Sequence, residues 1–196
     1  ARSFGNYDVA LSLADRLDNS ISAGASKINI SVLFDGAFSS LKILDNGEGM
    51  RPQELQEAMR MASQNPKNER SKDDLGRFGL GLKTASFSQA SCLTVCTRKG
   101  GVLSGAEWDL DDIENWKMKV FDEFQITQKI DALNTSDTFT LVIWSKLNRL
   151  LENFSVSEDE FNQLIVDACD QLSLIYHRFL SGEVPFLKEK LEISIN

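Results

Sequence analysis

The chain has 196 residues, of which 42% are hydrophobic and 26% charged, and its formal net charge is -8. This composition indicates a globular chain with one sizeable core, so a single domain is expected. The negative charge disfavours a broad nucleic-acid groove, which requires clustered Lys and Arg. No apolar run approaches the ~18 residues of a membrane helix, and the first residues contain neither a Met nor a signal peptide. We therefore expect a cytoplasmic fragment that makes no membrane contact.

The first half of the chain alternates helix and strand patterns. Apolar residues at helical spacing predict a helix from Asp8 to about Ser22. Alternating apolar residues at 27–34 and a short apolar run at 41–44 predict a strand hairpin. Pro52 opens a second predicted helix. The polar segment 63–74 that follows has no periodicity, which is typical of functional lids or disordered loops.

The second half predicts further strands and one long helix. Ser157 and Glu160 form a capping-box pattern that opens this helix, and Gly182 marks its end. The acidic segment between 109 and 137 predicts only a strand from Lys117 to Ile126. The remaining predictions are a helix at 80–88 and strands at 91–98, 102–108, 138–144 and 191–195. This order predicts an α+β fold, a two-layer sandwich with helices on one face of a mixed β-sheet.

A glycine-rich stretch, "DLGRFGLGLKTASFSQ", precedes the predicted helix at 80–88. Its glycines, Gly76, Gly79 and Gly81, place exposed backbone N–H groups near a helix N-terminus, an arrangement that can bind phosphate. A P-loop would require Lys where Leu82 stands, and a dinucleotide fingerprint would require Gly where Thr84 stands. The stretch is therefore either a phosphate cradle of another kind or a simple turn.

Two further motifs contain carboxylates. Asp15 and Asn19 are four residues apart on the first helix and point to one side, away from the apolar stripe. A carboxylate there could orient a water and the amide oxygen could bind Mg²⁺, although solvated polar residues are the commoner interpretation. Asp45 ends an apolar strand and precedes Gly47 and Gly49, which predicts either a close approach of the backbone to a ligand or a turn.

The ordered set of motifs, "DxxxN", "DxGxG" and "GxxGxGLK", resembles the nucleotide-binding boxes of the GHKL superfamily, whose members share the Bergerat ATP-binding fold. This superfamily includes gyrase B, the large heat-shock chaperones, histidine kinases and MutL. The stretches "LADRLDNSISAGA", "ILDNGEGM" and "GRFGLGLKTASFSQ", with "TLVIW" later, resemble most closely the microrchidia (MORC) branch and its bacterial relatives. The resemblance covers roughly residues 2–144.

The resemblance implies a role for individual residues. Asp45 would accept a hydrogen bond from the adenine amino group, Gly47 and Gly49 would make room for the base, and Asn19 would bind Mg²⁺. Segment 61–78 would be the ATP lid. The resemblance assigns the following further residues to the nucleotide: Gly76, Gly79, Leu80, Gly81, Leu82 and Lys83 at the phosphates, Thr140 near the adenine, and Ala23 and Met50 at the same site.

The resemblance also implies an activity, namely Mg²⁺-dependent ATP hydrolysis with Asp15 as the general base. The family usually has Glu there, and Asp is shorter by ~1.5 Å, which predicts slow hydrolysis unless the backbone compensates. The ATP cycle would drive lid closure and homodimerisation in a larger MORC/MutL-like protein, with DNA contacts made by other regions. The alternatives are an ATP-gated dimerisation module with little hydrolysis and, third, a histidine-kinase catalytic domain. For the third, the chain's one histidine, His177, lies downstream of the ATP motifs on a core helix.

Overall fold

The computed structural model of the chain describes residues 9–60, 78–112, 117–131, 133, 135–152, 155–184 and 189–196. The strands in these ranges are β1 (Lys27–Leu33), β2 (Ser40–Asp45), β3 (Cys92–Lys99), β4 (Val102–Asp109), β5 (Lys119–Val120), β6 (Phe139–Ser145) and β7 (Glu192–Ile195). Within the described ranges, these strands form one sheet in the order β5-β4-β3-β6-β2-β1-β7. β1 and β7 run parallel, and the other neighbouring pairs are antiparallel, so the sheet is mixed.

All but one of the described helices cover one face of this sheet. Those described are α1 (Val9–Ser22), α2 (Pro52–Met59), α3 (Phe78–Gln89), α4 (Glu123–Ile130), α5 (Glu158–Ile175) and α6 (His177–Ser181). Leu93 and Val95 of β3 alternate with residues of the opposite face and join one core with Leu17 of α1 and Phe161 of α5. Residues of α2 and α3 complete the same core. The predicted α+β two-layer sandwich on a mixed sheet is therefore confirmed.

The strand predicted from Lys117 to Ile126 is wrong over most of its length. Strand β5 contains only Lys119 and Val120, and the chain then turns into α4 at Asp122. The Asp122 side chain accepts a hydrogen bond from the Gln125 backbone N–H at 2.8 Å, and the Gln125 side chain accepts one from the Asp122 N–H at 3.1 Å. This reciprocal cap satisfies two backbone donors and starts a helix where the apolar pattern alone predicts a strand.

Helix α4 covers part of the second face of the sheet, an addition to the predicted sandwich. Phe121 and Ile126 pack there with Cys96 of β3 and Leu141 of β6. A Cβ atom on Gly105 of β4 would lie 2.8 Å from Ile126. The glycine in the middle of this strand therefore allows the helix to pack closely against the sheet.

The C-terminal part of the chain contacts α1 directly. Ser157 and Glu160 form the predicted capping box, but α5 ends at Ile175 and a break at Tyr176 separates it from α6. The buried Tyr176 hydroxyl lies 2.6 Å from Oδ1 of Asp18 and 3.0 Å from the carbonyl oxygen of Ala14. The end of α5 is thus fixed to the helix that carries the first sequence motif.

No helix in the described ranges is both long enough and apolar enough to cross a bilayer. These ranges also contain no group of three or more His, Cys, Asp or Glu side chains arranged to hold a metal ion. The predicted polar loop at 63–74 and nearly all of the predicted lid at 61–78 lie outside the described residues.

Candidate functional site

A cavity of about 260 Å³ lies between α1, α2 and the strands β2, β3 and β6. Its apolar wall is built from both the helices and the sheet, and its polar groups come from α1, from the end of β2 with the loop that follows, and from β6. The apolar lining residues are Ala23, Ile43, Met50, Ala58, Leu82, Val95 and Val142, and the remaining ones are Arg16, Asn19, Ser20, Ser22, Asp45, Glu48, Gly49 and Thr140. An apolar cavity with a few converging polar groups is typical of a small-molecule site.

Asp45, the last residue of β2, places a carboxylate in this cavity. It is only 6% exposed. The Ser20 hydroxyl donates to its Oδ2 at 2.8 Å, and the Gly47 backbone N–H donates to its Oδ1 at 2.9 Å. Burial raises the pKa of this carboxyl, and the hydrogen bonds together with the charge of Arg16 oppose that shift. Because each oxygen has a second lone pair, the fixed carboxylate can still accept a hydrogen bond from a ligand.

The loop after Asp45 depends on its glycines because the protein's own atoms approach them. Gly49 has a φ of +68°, and a Cβ atom there would overlap the carbonyl oxygen of Arg98. A Cβ atom on Gly47 would lie 2.9 Å from Oδ1 of Asp45 and 3.0 Å from the carbonyl oxygen of Ala23. Both glycines are therefore required by contacts within the protein, while their close approach to a ligand and the space for a base beside them stay predictions.

Asn19 faces the cavity, whereas Asp15 does not contribute to its wall. The Asn19 Nδ2 donates to the Asp15 carbonyl at 2.7 Å, and its Oδ1 accepts from no described donor. Burial raises the pKa of the half-buried Asp15 carboxyl; the Arg16 charge opposes this shift and the Asp18 charge adds to it. The amide oxygen is therefore the group of this pair that is available to a ligand in the cavity.

Arg16 is a cavity residue that the sequence analysis missed. Its side chain is 5% exposed, yet its Nε has no hydrogen-bond partner in the described part of the chain. One terminal nitrogen donates to the Asp15 carbonyl at 3.5 Å, and none of the described ion pairs includes it. Burial lowers the pKa of this arginine to about 10, against the opposing charges of Asp15 and Asp45.

Ser20 was also missed, although a pattern in α1 could have indicated both residues. Arg16 and Ser20 are four residues apart and share one side of the helix with Ala23. Ser12, one turn before Arg16, is fully buried and lies 3.1 Å from the Ser88 hydroxyl of α3. The polar stripe at 12, 16 and 20 lies beside the apolar one and is buried as well, so α1 is buried on two sides.

The residues predicted around the glycine stretch take different positions. Gly79, Leu80 and Gly81 lie in the first turn of α3, and Gly76 lies outside the described residues. The buried Lys83 donates from Nζ to the carbonyl oxygen of Arg60 at the end of α2 and is not part of the cavity wall. Its predicted phosphate contact stays a prediction. The predicted residues that the structure brings together around the cavity are Asn19, Ala23, Asp45, Gly49, Met50, Leu82 and Thr140.

Comparison with known proteins identifies the family. The sequence profile described as "Histidine kinase-, DNA gyrase B-, and HSP90-like ATPase" matches residues 7–140, more than half of the chain. The chain belongs to this ATPase family. The GHKL superfamily expected from the three motifs is thereby confirmed. No curated protein matches the chain.

Members of this ATPase family generally bind ATP with Mg²⁺ and hydrolyse it. The matched range contains every cavity-lining residue except Val142. The part of the chain that identifies the family is therefore also the part that forms the cavity.

Proposed function

We propose that this chain binds ATP with Mg²⁺ and hydrolyses it, and that the adenine occupies the cavity with its amino group donating to Asp45. The observation that carries the proposal is the Asp45 carboxylate, buried and fixed by Ser20 and Gly47 in an otherwise largely apolar cavity. A buried carboxylate requires hydrogen-bond donors, and a flat apolar ring with an exocyclic amino group matches both the walls and the acceptor.

An amide oxygen at the cavity and backbone N–H groups at the start of α3 also suit a nucleotide's Mg²⁺ and phosphates. The Oδ1 of Asn19, which accepts from no donor in the described ranges, is an oxygen ligand of the kind Mg²⁺ prefers. This ion commonly keeps several waters beside one or two protein ligands. When bound, Mg²⁺ supplies positive charge that offsets the charge of the phosphates. Gly79 and Gly81 lie in the first turn of α3, where backbone N–H groups lack helical partners. This supports a phosphate site at that helix end.

Hydrolysis requires a base that activates water, and we propose Asp15 for this role. It lies one helical turn before Asn19, and burial raises its pKa toward the range useful to a general base. Its short side chain and its position outside the cavity wall favour slow turnover.

The same position of Asp15 favours one alternative, an ATP-gated module with little hydrolysis. In either case we propose that ATP binding promotes lid closure and homodimerisation in a larger protein of the MORC/MutL-like type, where other regions would contact DNA. His177, on which a histidine-kinase interpretation would depend, does not line the cavity. No observation favours that third function.

Calorimetric titration of the chain with MgATP, a non-hydrolysable ATP analogue and MgGTP, followed by a phosphate-release assay, tests the proposal. We expect micromolar binding of ATP with slow phosphate release. Binding without release would favour the gated module, and no binding would refute both functions. GTP should bind more weakly because guanine presents a carbonyl oxygen where Asp45 requires a donor. Equal affinity for ATP and GTP would contradict the assignment of Asp45.

A further inference from the structure

We propose that Arg16 is a specificity-determining residue of this cavity. Its side chain donates a hydrogen bond to a purine ring nitrogen next to the amino group whose hydrogen bond Asp45 accepts. The inference rests on the proposed function, because it assumes that an adenine nucleotide is the ligand. It adds a second base-reading group, from α1, to the carboxylate at the end of β2.

The first support is the hydrogen-bonding state of Arg16. A guanidinium has five N–H donors, yet the described residues offer this one a single acceptor at 3.5 Å and leave its Nε without a partner. Buried cations are normally paired or fully hydrogen-bonded, because an unpaired charge is costly in an apolar environment. An arginine that is 5% exposed and lines a cavity is therefore a donor that requires a ligand acceptor.

The second support is the position of Arg16 relative to Asp45. Both line the cavity, and the charge of each shifts the pKa of the other, but none of the described ion pairs joins them. A donor and an acceptor therefore line the same cavity. Adenine presents the complementary pair, since its amino group is a donor and the ring nitrogens N1 and N7 on either side of that group are acceptors.

Deaza analogues test this contact on the unmodified chain. 1-Deaza-ATP and 7-deaza-ATP each replace one ring nitrogen with a C–H group and leave the amino group in place. We expect one of them to bind roughly 10- to 100-fold more weakly than ATP, the effect of losing one hydrogen bond to a charged group. Equal binding of ATP and both analogues would overturn the proposal, whereas absence of ATP binding would refute the proposed function itself.

The Arg16→Met variant then tests whether Arg16 is the group that donates to the ring nitrogen missing from the sensitive analogue. The variant should fold, because replacing a buried unpaired charge with an apolar side chain of similar length is neutral or stabilising. We expect it to bind ATP as weakly as the unmodified chain binds the sensitive analogue, and to bind that analogue no more weakly than ATP. Arg178→Met, at an exposed arginine of α6 outside the cavity, is the matched control and should bind as the unmodified chain does. Unchanged ATP affinity in folded Arg16→Met would refute the role of Arg16 and leave that of Asp45 intact.

Discussion

Replacing Asp45 with Asn tests the carboxylate while changing the fold very little. The Asn oxygen can keep the Gly47 N–H, and its amide nitrogen can donate to the Ser20 hydroxyl, which serves equally well as an acceptor. Toward the ligand, however, an NH₂ group replaces a charged acceptor. The Asn amide and the adenine amino group are then both donors and cannot form a hydrogen bond with each other. Losing a hydrogen bond to a charged group costs about 1.5–3 kcal/mol, which raises the Kd for ATP roughly 10- to 150-fold.

Titration with a non-hydrolysable ATP analogue measures this loss without turnover, and thermal unfolding verifies that the variant is folded. Asp35→Asn is the matched control, because Asp35 lies exposed at the other end of the same hairpin and its side chain makes no cap hydrogen bond. The control should bind as the unmodified chain does. A folded Asp45→Asn protein with unchanged affinity would refute the assignment of the adenine to this carboxylate.

Three further predictions follow from the site and its loop. Asp15→Asn should retain ATP binding and abolish phosphate release; unchanged turnover would exclude Asp15 as the base. ATP affinity should fall as the pH is lowered through the pKa of Asp45, because protonation removes an acceptor. Since burial raises that pKa, the loss of affinity should begin at a higher pH than for an ordinary aspartate. Titrations at several pH values check this, and a pH-independent Kd would contradict it. Gly49→Ala should destabilise the fold by more than the ~1–3 kcal/mol of the left-handed backbone alone, because its Cβ would also overlap the Arg98 carbonyl. Gly100→Ala, at a φ of +60° with no atom within 4 Å, isolates the backbone cost in thermal unfolding, and equal losses would refute the overlap.

Local patterns predicted the elements whose apolar residues repeat with one clear period. The alternation at 27–34 predicted β1, and the capping box at Ser157 predicted the start of α5. Both features act within a few residues, so the sequence contains the whole signal. Segment 117–126 failed because a cap at Asp122 outweighed its apolar alternation. The parallel pairing of β7 with β1 joins segments about 165 residues apart and has no local signal.

The site residues likewise divide into those that sequence motifs indicate and those whose position depends on tertiary packing. Asp45 and Gly49 were predicted because a resemblance in three motifs assigned them, and the structure places both at the cavity. Arg16 was missed because arginine is mostly found exposed, and the polar stripe at 12, 16 and 20 is equally typical of a solvated helix face. Its burial results from the packing of α1 against both α3 and the sheet, which depends on tertiary structure.

The contact between Tyr176 and α1 bears on where the chain could be shortened. The family match ends at residue 140, inside β6, yet the hydroxyl that holds Ala14 and Asp18 is supplied from position 176. A truncation after β6 would keep every cavity residue, remove the anchor of the helix that carries Arg16 and Asn19, and leave β1 as an edge strand that is paired with β2 on one side and open on the other. The minimal folding unit that we expect to bind nucleotide therefore extends through β7, beyond the region by which the family is recognised.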